Sequence, residues 1–198
     1  MQAALEGFEA PATPTDRLFF ALVPDQAAAR RALTLAEALG QAQGAKPRQG
    51  ALEKFHITLF HVGDFAGWPQ QVVAQAQEAA AQLLAEPFDI GLDTLKSFGG
   101  SPRRLPCVLL PSEPPAALMA FQAAMQACML RRGLTQGHNL NRPYTPHLTL
   151  LYGHQRIEAQ PLMPPLCWTA REFVLIRSLI GQGRYEQLGR WALTGAPG

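Results

Sequence analysis

The chain has 198 residues, of which 47% are hydrophobic and 16% are charged, and its formal net charge is +2. This composition excludes disordered and low-complexity proteins, and the length fits one globular domain. The small net charge also excludes a protein that coats nucleic acid with an extended basic surface. Any contact with nucleic acid should therefore be small and local.

Residues 1–16 are rich in Ala, Pro and Thr without hydrophobic periodicity, which predicts a flexible arm before a single domain at 17–198. The arm has no signal-peptide pattern, and no apolar run in the chain reaches transmembrane length. We therefore expect a cytoplasmic protein. Cys107, Cys128 and Cys167 are widely spaced, which predicts buried, unreactive thiols rather than disulfides or a zinc site.

The first half of the sequence predicts alternating strands and helices. The apolar run RLFFALVP ends at a proline, which is typical of a buried strand, and Asp25 is placed to cap the helix that follows. Gly40 suits the end of that helix because glycine adopts the left-handed conformation readily. The predicted elements are strand 17–24, helix 26–40, strand 55–65, helix 68–85 and strand 88–98.

The second half repeats the opening order of the first. RRLPCVLLP at 103–111 resembles RLFFALVP, a helix is predicted at about 115–132, and YTPHLTLLYG resembles KFHITLFHVG. The two halves therefore predict related β-α-β units. A closing hairpin is predicted around Gly181-Gln182-Gly183.

The repeated chemical element is His-x-Thr-Leu, which occurs at His56 and again at His147. Residues two apart on a strand face the same side, so each copy presents an imidazole beside the hydroxyl of Thr58 or Thr149. If the halves are related by a pseudo-twofold axis, these four side chains meet in one cleft. Threonine hydroxyls can donate to phosphate oxygens, and imidazoles can take or give protons near neutral pH.

A single His-x-Thr on a strand is commonly an ordinary packed histidine. Two copies at equivalent places in repeated units favour a functional site instead, because two of the five histidines share Thr at +2 and Leu at +3. The residues therefore point to a phosphate-binding cleft with two histidines as its acid and base.

Together these segments resemble the two-histidine phosphoesterases, in particular the LigT-like RNA 2′,3′-cyclic phosphodiesterases, historically called 2′-5′ RNA ligases. The resemblance covers most of the chain, from RLFFALVP to SLIGQGRYEQLGRWAL. It implies an α+β fold of two lobes, with two antiparallel sheets facing a central cleft and helices outside.

The resemblance also implies an activity, the hydrolysis of RNA 2′,3′-cyclic phosphate ends to 2′-phosphates. His147 is then the expected base, His56 the expected acid, and Thr58 and Thr149 the phosphate ligands. The same two histidines, acting in the reverse reaction, would join a cyclic phosphate end to a 5′ hydroxyl without ATP. The alternatives are a phosphodiesterase for small cyclic nucleotides and a non-catalytic module that binds RNA ends or nucleotides.

The chain departs from the family pattern at two positions. His61 stands where relatives commonly carry an aromatic or aliphatic residue, and Tyr152 lies where a basic residue is common. Arg104, Arg142 or Arg184 are candidates to supply that missing charge, and with Tyr152 they are the candidate substrate-binding residues. Because His61 follows His56 by five positions, a regular strand predicts that it faces away from the cleft.

No cofactor and no metal ion are expected. No carboxylate or Cys accompanies the histidines at ligand spacing, which argues against a metal site, and no phosphate-binding glycine loop indicates ATP binding. His138 and His154 are predicted to be surface residues. The expected partners are RNA ends or nucleotides carrying a 2′,3′-cyclic phosphate, without membrane contact, and the protein is expected to be a monomer.

Overall fold

The computed structural model describes residues 12–45, 50–100, 104–134 and 143–195, and they form eight strands and three helices. The strands are β1 (Asp16–Leu22), β2 (Ile57–Phe65), β3 (Phe88–Ser97), β4 (Leu105–Leu110), β5 (Leu148–Gly153), β6 (Gln160–Ala170), β7 (Glu172–Leu179) and β8 (Arg184–Ala192). The helices are α1 (Gln26–Gln43), α2 (Gln70–Ala80) and α3 (Ala116–Arg131), with a single 3-10 turn at Ala51–Glu53.

All eight strands belong to one sheet in the order β6-β3-β4-β5-β2-β1-β7-β8, and every neighbouring pair is antiparallel. The centre of the sheet is narrow, because β2 and β5 pair only through Ile57 and Leu148, the first residue of each strand. The two predicted sheets are thus the four-stranded halves of one sheet, joined at a single residue pair. The α+β class is confirmed.

The halves have the same internal order, which supports the predicted duplication. Reading outwards from the join, one half runs β2-β1-β7-β8 and the other β5-β4-β3-β6. The units β1-α1-β2 and β4-α3-β5 therefore occupy equivalent places. Strand β6 was not predicted, since its segment contains three prolines; it lies at the edge of the sheet, where a missing amide donor is tolerated.

Each helix of a repeated unit packs across the join. Helix α1 contacts β5 and β6, and α3 contacts β2, β3 and α2. Small residues recur every four positions on the buried face of α1, whereas α3 buries larger ones such as Phe121, Met125 and Met129. Burying a side chain of that size contributes roughly 1.5–3 kcal/mol, so these contacts help to hold the two halves together.

Several boundaries differ from the predictions. Asp25 caps α1 as predicted, accepting from the Ala28 amide at 2.8 Å, but the helix continues past Gly40 to Gln43, and Gly44 takes the left-handed conformation at φ 62°. Ordered pairing begins within the predicted arm, because β1 starts at Asp16. Cys107 and Cys128 are buried, but the prediction is wrong for Cys167, which is exposed on edge strand β6.

Residues 1–11 of the predicted arm lie outside the described residues. None of the helices in the described ranges is long and apolar enough to cross a membrane.

Candidate active site

A cleft of about 1260 Å³ is lined by both halves of the sheet and by the turn between β7 and β8. His56 and Thr58 contribute to one side, and His147 and Thr149 to the other. These four are half-buried, as expected for side chains on a solvent-accessible wall. The structure therefore brings both His-x-Thr-Leu elements to one cleft.

The two histidines are fixed in the same way. Nδ1 of His56 lies 2.7 Å from the carbonyl oxygen of Lys54, and Nδ1 of His147 lies 2.9 Å from that of Thr145. In each case the acceptor is the backbone two residues earlier in the chain. A carbonyl oxygen cannot donate, so Nδ1 carries the hydrogen in both rings. Proton exchange with a substrate then falls to Nε2.

Aromatic contacts hold both rings. The His56 ring lies 4.9 Å from the Phe19 ring and 5.9 Å from the Tyr185 ring, and the His147 ring meets Phe98 edge-on at 4.8 Å. Burial lowers the pKa of His147 below its usual 6.5, and the hydrogen bond to Thr145 only partly opposes this. Neutral imidazole is therefore favoured at His147 near pH 7.

Thr58 and Thr149 lie close to the join of the halves, each next to a residue of the Ile57–Leu148 pair. Tyr144, in the segment leading to His147, donates its hydroxyl to the Thr58 carbonyl at 3.1 Å. Burial raises the pKa of Tyr144, so the phenol keeps the proton that this bond needs. This contact ties the second histidine segment to the strand that carries the first motif.

The prediction that His61 faces away from the cleft is wrong. In the pairing of β2 with β1, Phe60 lies opposite Phe20 but Thr58 lies opposite Ala21, so Leu59 is an extra residue. This β-bulge breaks the alternation of the strand, burying Leu59 and Phe60 in succession. His61 consequently lines the cleft with Thr58.

The second half contains the same irregularity. In the pairing of β5 with β4, Leu151 lies opposite Cys107 and Thr149 opposite Val108, which makes Leu150 the extra residue. Tyr152 therefore lines the cleft from the other half, five positions after His147, as His61 follows His56. His61 and Tyr152 are equivalent positions of the two repeats.

His61 belongs to a cluster of three charged or ionisable side chains on β1 and β2. Its Nε2 lies 2.9 Å from Asp64 Oδ1, and Arg17 donates to the same carboxylate through Nε at 2.7 Å and Nη2 at 2.6 Å. The hydrogen bonds from Arg17, with a smaller effect of His61, lower the pKa of Asp64 from 3.8 to about 2. Arg17 also lines the cleft, although it is not among the site residues predicted from the sequence.

Three of the candidate substrate-binding residues line the cleft. The Arg104 guanidinium lies 4.6 Å from the centre of the Tyr152 ring, which places a cation beside the position where the family resemblance predicts a basic residue. Arg184 is exposed on the turn side and pairs with Glu186 at 2.8 Å. Arg142 lies outside the described residues, as does His138, and His154 is exposed as predicted.

Within the described ranges, no group of three or more His, Cys, Asp and Glu side chains is arranged to hold a metal ion. Sequence reasoning missed the aromatic contacts of the histidines and the Tyr144 bond, because these depend on tertiary packing. The sequence does contain a signal for Arg17. Leu18 and Leu105 begin the two repeats, so the arginines that precede them, Arg17 and Arg104, occupy equivalent positions.

Comparison with solved structures shows the same fold in proteins of similar length. A phosphoesterase and Escherichia coli LigT in complex with 3′-AMP each superpose with a TM-score of 0.72 at 25% sequence identity, covering 92% of this chain and 99% of theirs. A protein of Thermus thermophilus superposes with a TM-score of 0.72 at 20% identity, covering 91% of this chain and all of its own. No curated protein sequence matches the chain.

A family model described as the 2′-5′ RNA ligase superfamily matches residues 23–181. That range includes both His-x-Thr-Leu elements and ends in the turn between β7 and β8. The family match, the duplicated fold and the paired motifs therefore all indicate the same family. The chain belongs to the 2′-5′ RNA ligase superfamily of two-histidine phosphoesterases.

Proposed function

We propose that this protein hydrolyses RNA 2′,3′-cyclic phosphate ends to 2′-phosphates, with His56 and His147 as the acid and base. The observation that carries the proposal is the matched anchoring of the two histidines. Each Nδ1 is committed to a carbonyl two residues earlier, and both rings line the same cleft. Two imidazoles fixed in one tautomer around one cleft are suited to transfer protons on opposite sides of a phosphate.

The surroundings of His147 favour the role of base. A base must be neutral before the reaction, and burial lowers the pKa of His147 so that the neutral ring is the main form near pH 7. His56 then takes the role of acid, which requires that it enter the reaction protonated.

The proposed step conserves atoms and protons. A water molecule attacks phosphorus and gives a proton to Nε2 of His147, while the bond from phosphorus to the ribose 3′ oxygen breaks. Nε2 of His56 gives its proton to that oxygen. The products are a 3′ hydroxyl and a 2′-phosphate, and proton exchange with solvent restores the pair.

Thr58 and Thr149 would donate hydroxyl hydrogen bonds to the non-bridging oxygens, where negative charge builds up in the transition state. Removing one such fixed donor typically lowers the rate by a factor of about 10²–10³. Arg104, beside Tyr152, and Arg184 would add positive charge to the same cleft. In this chain Arg104 would supply the basic group that the family resemblance predicts at the Tyr152 position.

Nucleotides with a terminal phosphate are the substrate class that the comparisons favour. Escherichia coli LigT, at 25% identity, has been crystallised with 3′-AMP and with NADP⁺. The cleft of about 1260 Å³ can accept such groups with room to spare. The reverse reaction, joining a cyclic end to a 5′ hydroxyl, uses the same proton transfers, but water is in vast excess and hydrolysis should dominate.

The proposal is tested by turnover of an oligoribonucleotide ending in a 2′,3′-cyclic phosphate, performed in ¹⁸O-labelled water. We expect a 2′-phosphate that carries a single ¹⁸O atom. A mononucleotide 2′,3′-cyclic phosphate assayed in parallel distinguishes an RNA enzyme from one for small cyclic nucleotides. Tight binding of RNA ends without turnover would point instead to a non-catalytic module, and a 3′-phosphate product would contradict the assigned leaving group.

A further inference from the structure

The two repeats place an arginine at the same position on each side of the cleft. Ala21 pairs with Thr58 on β1, and Val108 pairs with Thr149 on β4. Four residues before Ala21 is Arg17, and four before Val108 is Arg104. Both arginines line the cleft, so the proposed phosphate site has one equivalent arginine on either side.

The surroundings of the two arginines differ. Arg17 is bound by the Asp64 carboxylate through two nitrogens. Gly63 lies opposite Leu18 and Gly153 lies opposite Leu105, so the residue equivalent to Asp64 is His154, which cannot supply a negative charge. Arg104 instead packs on the ring of Tyr152. Among the described residues, only the first half holds its arginine in a fixed ion pair.

The fixed position of Arg17 leaves part of its guanidinium available. Asp64 accepts from Nε and Nη2 of Arg17, and His61 contacts Oδ1 of the same carboxylate, which holds Asp64 in place. In the described part of the chain Nη1 of Arg17 has no acceptor, and the side chain is 50% exposed. A guanidinium oriented in this way can donate to a phosphate oxygen at little further entropic cost.

The size and charge of the cleft indicate more than one nucleotide. Pockets for single small molecules usually hold about 300–1,000 Å³, and this one holds about 1260 Å³. Of its charged lining residues, Arg17, Lys54, Arg104 and Arg184 are basic and Glu53 is acidic. Tyr185 and Tyr152 lie near Arg17, which adds aromatic surface beside the cation, as in sites that hold single strands.

We propose that Arg17, positioned by Asp64 and His61, binds the phosphodiester immediately 5′ to the nucleotide that carries the cyclic phosphate. This rests on the proposed function and extends it, because a mononucleotide lacks that phosphodiester. The subsite would make the protein prefer strand ends to free cyclic nucleotides.

The test compares two substrates and a chemical variant. We would measure kcat/KM for a mononucleotide 2′,3′-cyclic phosphate, for the dinucleotide ApA with a 2′,3′-cyclic end, and for the same dinucleotide with a neutral methylphosphonate linkage. The wild type should prefer the phosphodiester dinucleotide to both others. A charge-assisted hydrogen bond of ordinary strength corresponds to a preference of about 10- to 100-fold.

Arg17→Gln should reduce the ratio of dinucleotide to mononucleotide kcat/KM about tenfold or more, and the methylphosphonate should then cause no further loss. Arg190→Gln is the matched control, because Arg190 is 55% exposed, pairs with Glu172 at 2.9 Å and lies outside the cleft lining. It should leave the ratio unchanged. Circular dichroism and thermal unfolding check that both variants fold.

The subsite is overturned if Arg17→Gln keeps the wild-type ratio, or if it still distinguishes phosphodiester from methylphosphonate. A binding experiment separates this outcome from a failure of the proposed function. Should the wild type hydrolyse none of these substrates, the proposed function fails. The subsite would still predict tighter binding of ApA with a 3′-phosphate than of its methylphosphonate form, dependent on Arg17.

Discussion

Replacing Asp64 by Asn removes the charge at the centre of the Arg17–Asp64–His61 cluster and should destabilise the protein in a pH-dependent way. The pKa of Asp64 lies at about 2 instead of 3.8, chiefly because Arg17 donates two hydrogen bonds to it. At 1.36 kcal/mol per pKa unit this corresponds to roughly 2 kcal/mol. Arg17 is half-exposed, so solvent screens the pair, and about 1 kcal/mol is expected at pH 7.

The pH dependence has a defined sign. Because the folded pKa lies below the unfolded one, the stabilisation is complete above pH 3.8 and is lost as the pH falls through about 2. The difference in unfolding free energy between wild type and Asp64→Asn should therefore be constant from pH 7 to 5 and fall to roughly half at pH 3. Urea unfolding followed by tryptophan fluorescence at these three pH values measures it.

Asp89→Asn provides the control, since Asp89 is an exposed carboxylate on β3 that accepts from Thr169 at 2.7 Å outside the cleft. It should cost less than about 0.5 kcal/mol, as is usual for surface substitutions. If Asp64→Asn were as stable as the wild type at pH 7, or if its deficit did not shrink by pH 3, Arg17 would not stabilise the Asp64 charge as described.

Three further predictions concern catalysis and its support. The pH profile of kcat/KM should be bell-shaped, with its acidic limb below pH 6.5 because burial lowers the pKa of His147. His147→Gln should flatten that limb in the residual activity. A profile that only rises through pH 9 would contradict the pairing of the two histidines as acid and base. Turnover should survive exhaustive EDTA treatment, since imidazoles and hydroxyls perform every proposed step, and loss of turnover restored by zinc or manganese would refute this. Tyr144→Phe should lower the free energy of unfolding in urea by about 1–3 kcal/mol, because the Thr58 carbonyl loses its hydrogen-bond donor. An unchanged unfolding midpoint would show that this hydrogen bond contributes nothing to stability.

Most of the fold and the centre of the site follow from local sequence patterns. Strand β1 is an apolar run stopped by Pro24, α1 begins at a capping Asp25, and both features are visible in the sequence. The repeated His-x-Thr-Leu predicts that two histidines and two threonines share a cleft, because equivalent strands of a duplicated unit meet at the pseudo-twofold axis.

The remaining features depend on interactions that local patterns do not contain. The position of His61 follows from the bulge at Leu59, and a strict alternation of residues along β2 assigns it to the wrong face. Strand β6 is stabilised at the sheet edge despite its prolines, because only one side of it needs amide donors. The partners of His147, such as Phe98, arrive from a distant part of the chain.

The central claim, that His56 and His147 act as one acid/base pair, is tested most directly by kcat/KM of the wild type, His56→Ala, His147→Ala and the double variant. The substrate is an RNA with a 2′,3′-cyclic end, and all four proteins are first shown to be folded. Each single variant should lose about 10²–10⁴ in rate, and the double variant should lose little more than either, because one group cannot complete the step without the other. Near-wild-type turnover by either folded single variant would contradict the claim.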